Sequence, residues 1–145
     1  MSLEQAIDIF TRQGFKNPQW AVDVIQKATT LEVLAQIMRD ENTSLSADQF
    51  VSCRIGQLFK GDPEFARRTS EHAKEQFKQY GLSDEIVDFY ILNGGGVDQA
   101  ISLQFKISLG DFAPVKDMKK LHEFCDVANQ YLFDALRDYV VGSSV

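Results

Sequence analysis

Cysteine is scarce in this chain: Cys53 and Cys125 are the only two in 145 residues, far apart and with no CxxC spacing. That excludes a disulfide scaffold and a cysteine-based zinc site, and it predicts two buried, reduced thiols. Histidine is as rare. His72 and His122 are the only side chains with an unperturbed pKa near neutrality, and neither stands in an HExxH, ExxH or triad-like setting. No metal centre and no nucleophile–base pair is therefore specified, and no catalytic residue is named. Basic clusters never exceed a pair, and 15 Lys and Arg against 21 Asp and Glu leave a net charge of −6. Neutralising nucleic-acid phosphates needs the opposite balance. No run approaches the ~18 apolar residues of a membrane span, and no basic stretch followed by an apolar one opens the chain. A cytoplasmic protein without a membrane segment is expected. The run Asn93-Gly94-Gly95-Gly96 lacks the GxGxxG and P-loop patterns and reads as a helix stop followed by a turn.

What is present is an ordinary globular composition, 44% hydrophobic and 25% charged, unusually rich in phenylalanine with eleven. Such a chain can bury one core without staples. A single helical domain over 1–141 with a flexible tail over 142–145 is expected. Its organising element is the last one. Met118, Leu121, Cys125, Ala128, Leu132, Ala135 and Tyr139 recur at spacings of three and four. All seven thus share one face of a helix predicted from Pro114 to Val141. Phe124, Val127 and Tyr131 widen that face and are expected to stay partly exposed as an interaction surface.

Helix starts precede it at Ser2 with Gln5, Asn17-Pro18, Thr29 with Glu32, Ser46 with Gln49, Asp62-Pro63-Glu64 and Ser83-Asp84-Glu85. Each supplies a capping oxygen, a proline at the first helical position, or both. Gly14 and Gly61 are stops. The helix opened by Asp62 is expected to run to Tyr80, with Ala66, Ala73, Phe77 and Tyr80 inward. Arg67, Arg68, Glu71, Lys74, Glu75 and Lys78 form its solvated face, with opposite charges three or four apart. Trp20, Phe77, Leu121, Leu132 and Leu136 are the expected core.

Periodicity conflicts at one place. Ile101, Leu103, Phe105, Ile107 and Leu109 alternate with Ser102, Gln104, Lys106 and Ser108, a strand signal, whereas a helix would use Val97, Ile101 and Phe105. An element other than a long regular helix is predicted over 97–109. The fold class is accordingly mainly α: about six to eight short helices around a long C-terminal helix, with a small extended or hairpin element left open within 86–109.

The order Gly61-Asp62-Pro63-Glu64, Arg67-Arg68, an alanine-bearing helix to Gly81 and the Gly94-Gly95-Gly96 turn, with Trp20-Ala21-Val22 in an early helix, resembles an uncharacterised bacterial helical domain family. Some members of that family sit near secretion-system genes. The resemblance covers about half the chain and implies an accessory role there; it carries over no catalytic or binding position. Together with the missing catalytic motifs, the acidic charge and the surplus of aromatics predict a non-catalytic protein–protein interaction module, an adaptor or chaperone-like accessory. It is expected to need no cofactor or metal, and to bind another protein or a second copy of itself, not nucleic acid or membrane. The alternative is a small-molecule or cofactor-binding helical sensor of globin-like size, with 86–92 lining its pocket.

Overall fold

The computed structural model describes residues 2–142, in which every regular element is helical. Eight α-helices follow in order: α1 (Ser2–Arg12), α2 (Pro18–Lys27), α3 (Leu31–Asp40), α4 (Ala47–Gly61), α5 (Pro63–Gln76), α6 (Asp84–Leu92), α7 (Gly96–Ser108) and α8 (Met118–Val141). A single 3₁₀ turn, Lys78–Tyr80, joins α5 to α6. No described helix is long and apolar enough to cross a membrane.

Local chemistry sets most boundaries. The Thr30 hydroxyl accepts from Val33 N, one residue later than the Thr29 start expected for α3. Ser46 and Gln49 form the full reciprocal box, the Asp62 carboxylate accepts from Phe65 N, and Ser83 accepts from Ile86 N, so orphan amides of three helix starts find side-chain partners. Asn17 precedes Pro18 but its side chain makes no capping bond. The segment expected as one helix from Asp62 to Tyr80 tightens after Gln76, and Gly81 closes it in the left-handed region.

α8 is the central post. It packs on α1, α2, α3, α4, α6 and α7. It starts at Met118 instead of Pro114, because the Asp117 carboxylate accepts from both Lys119 N and Lys120 N and so fixes the first turn there. Leu121, Phe124, Cys125, Ala128, Leu132, Phe133, Leu136, Tyr139 and Val140 are buried along it, whereas Met118 is exposed and Ala135 half-buried. Polar bonds also tie it to the first helices: Arg137 Nε donates to Ala28 O (2.7 Å) and Gln130 Oε1 accepts from Leu31 N (3.2 Å).

Three expectations are corrected. The segment 97–109 is not extended: α7 is a thirteen-residue helix, and no hairpin forms within 86–109. With no neighbouring strand to pair with, only a helix satisfies its amides and carbonyls internally. Cys53 is exposed, while Cys125 is buried. Trp20 is half-buried at the core's edge; its ring meets Phe50 edge-on (5.6 Å) and its Nε1 donates to Glu41 Oε1 (2.6 Å). This polar handle holds the indole at the boundary. Of the predicted tail, Ser143 to Val145 lie outside the described residues.

Candidate functional site

α7 is held by one side only. Leu103 is fully buried, with Ala100 and Ile107 half-buried beside it, against α4, α6 and α8. The opposite side carries Val97, Ile101, Phe105 and the cap residue Leu109, which are 59, 62, 64 and 62% exposed. Residues four apart on a helix form a ridge, the feature that a neighbouring helix packs against. These four make such a ridge, and none of the described residues covers it. Its apolar area is on the order of 400 Å², taking roughly 150–200 Å² for each large side chain, which lies within the range of the largest patches that monomers expose. Asp98, Ser102 and Ser108 flank it, and Lys106 lies on its shoulder, 3.8 Å from Asp111 and over the Phe89 ring.

The N-terminal end of the ridge opens into a cleft of about 450 Å³ between α4 and α7, walled by Ser46, Asp48, Gln49, Cys53, Val97 and Gln99 among others. Burial, with a further contribution from Asp126, raises the Asp48 carboxyl above its ordinary pKa. The floor of this end is the triple-glycine turn, and it is rigidly tied. Asn129 Oδ1 on α8 accepts from Gly96 N (3.0 Å) and from Tyr90 OH (2.6 Å). Tyr90 is fully buried, and burial pushes its phenol far above the usual range. The glycine run thus serves α7's position: it turns the chain sharply against Tyr90, Asn129 and Leu132.

The residues singled out in the sequence differ in how far they are covered. Phe124 is fully buried, packed edge-on against Phe77 (5.4 Å) and Tyr90 (5.5 Å), so it cannot serve as a surface residue. Val127 is 40% exposed. Tyr131, one turn on from Val127 along the same side of α8, is half-buried, its hydroxyl donating to Thr69 O (2.8 Å) and lying 3.1 Å from His72 Nδ1. Burial lifts its phenol to about 12. His72 and Tyr131 border a cleft of about 580 Å³ between α5 and α8, together with Asp62, Arg68, Asp134 and Tyr139. His122 lies near Gln104 Nε2 (3.3 Å). Among the described residues no group of three or more His, Cys, Asp or Glu is placed to hold a metal ion. In the segment proposed to line a sensor pocket, Ile86, Val87, Tyr90 and Ile91 fill the core.

The ridge was missed although its signal was in plain view. Side chains two apart on a helix point about 200° apart, so an alternating apolar pattern deals its residues to two opposite faces. Ile101, Phe105 and Leu109 went outward, Leu103 and Ile107 inward. No family model, curated protein or solved structure matches the chain.

Proposed function

We propose that this chain is a helical protein–protein interaction module, an adaptor or chaperone-like accessory, and that α7 is its docking element. The observation that carries the reading is the exposed ridge of Val97, Ile101, Phe105 and Leu109. A helix that buries one apolar face and leaves a second, contiguous one in water loses stability for no structural gain, and such faces mark contact surfaces. A partner helix laid along the ridge would bury it by the geometry that packs helices inside a core.

A photo-crosslinking amino acid placed at Phe105, with Glu71 on the charged face of α5 as the control position, tests this in the cells that make the protein. Adducts at 105 and none at 71 are the expected outcome. Equal labelling at both positions, or none at either, counts against α7 as the docking element.

A further inference from the structure

Resting on that reading of α7, we propose that the occupant of the ridge is a second copy of this chain, laid antiparallel across a two-fold axis at the level of Leu103. Three features of the helix lead there.

The first is charge. α7 carries one acid and one base in thirteen residues, Asp98 and Lys106. In a parallel pair each would face its own copy. In an antiparallel pair centred on Leu103, Asp98 stands opposite the partner's Ser108 and two residues, about 3 Å along the axis, from the partner's Lys106. Opposite charges meet twice, and the helix dipoles oppose favourably. Two chains of net charge −6 repel over most orientations, and this pairing brings together helices whose own charges cancel, Asp98 against Lys106.

The second is spacing. The same axis sets Ile101 against the partner's Phe105 and Val97 against the partner's Leu109, so every ridge residue meets an apolar side chain, as a self-complementary two-fold interface requires. The third is shape. The partner's Leu109 arrives at the Val97 end, where the cleft between α4 and α7 opens, and a projecting side chain meets a hollow at each end of the pair. The area is small. Two ridges bury on the order of 800–900 Å² together, below the ~1,200 Å² of stable complexes, which puts the dimer in the weak class, with a dissociation constant on the order of 100 μM.

Sedimentation equilibrium on the full chain, from about 5 μM to about 1 mM to bracket that constant, measures it. The expected result is a mass rising from monomer towards dimer. Phe105→Ser, at an exposed position and with retention of the fold checked by circular dichroism, should raise the dissociation constant by at least about 30-fold, since each dimer loses two anchors. Asp98→Lys and Lys106→Glu should each raise it roughly five- to tenfold, and the two together should return it to within about threefold of the original, because both ion pairs are then rebuilt in reverse. A monomer throughout the range overturns the proposal, as does a dimer that Phe105→Ser leaves unchanged. Failure of the paired reversal to restore association overturns the antiparallel register. If crosslinks from position 105 lead to a different protein while the chain sediments as a monomer, self-pairing falls and α7 as docking element stands; if position 105 yields no crosslink, both fall.

Discussion

Gly95 has the least freedom of any residue near the ridge. Its φ of 64° with ψ of −154° belongs to a region that glycine alone adopts readily. A Cβ there would stand 2.7 Å from Leu132 Cδ1 and 2.9 Å from Asn129 Oδ1, so strain and collision act together. Gly95→Ala should lower unfolding stability by about 3 kcal/mol or more, the scale of a special backbone position combined with core disruption, read as a lower urea midpoint at unchanged m-value. A loss under about 1 kcal/mol would mean that the turn relaxes freely and does not position α7. Asn129 acts in the same place by a different means. Its single side-chain oxygen serves both the first amide of α7 and the buried Tyr90 hydroxyl, groups that would each be costly to leave without a partner.

α7 stands apart among the helices, because its hold on the core comes down to one fully buried side chain. Leu103 touches the interior; Ala100 and Ile107 cover its flanks. Local opening should therefore be easier here than in α8, whose buried residues run its whole length. Leu103→Ala should speed amide exchange across 100–108 by on the order of 30-fold or more, from about 2 kcal/mol or more of lost packing, while the amides of α8 stay near their original rates. Uniform acceleration of both helices would show that α7 unfolds only with the whole domain. Much of the fold was legible from such local chemistry. The capping box at Ser46, the start at Asp62-Pro63 and, apart from Met118 and Ala135, the inward stripe of α8 depend on residues close in sequence and appear as expected. Where competing local signals existed, the structure chose by context: Asp117 capped α8 three residues after Pro114. The alternation in 101–109 suits a strand only when another strand lies beside it, and no such partner exists among the described residues. Phe124 was misplaced because helical periodicity gives the width of an apolar face but not how many neighbours cover it; α6 and the 3₁₀ turn close over that flank.

Several side chains that lose a proton in alkali are locked in their neutral forms by the domain as a whole. Burial pushes the Cys125 thiol up to about 11 from an ordinary 9.0. It lifts Tyr139 to about 12, with help from the Asp62 carboxylate that accepts a hydrogen bond from its hydroxyl, and Tyr131 to about 12 from 10.0. In the unfolded chain these groups ionise near their ordinary values, so between about pH 9 and 12 the unfolded state has released protons that the folded state still holds. A raised pKa on a group that is neutral when protonated contributes fully below the unfolded value and is lost as pH climbs towards the folded one. The thermal midpoint should thus be insensitive to these groups up to about pH 8.5 and fall steeply above pH 9. Cys125 alone contributes on the order of 2 kcal/mol of that loss by pH 11. Cys125→Ala isolates the contribution: it lowers stability at neutral pH through lost packing, but its midpoint should decline less between pH 9 and 10 than that of the original chain. Melting curves by circular dichroism from pH 7 to 11 decide it. A midpoint that holds level to pH 11, or an identical decline in the variant, would mean that the thiol is not sealed by the core, and that α8 is less tightly enclosed at Cys125 than its packing against Tyr90 requires.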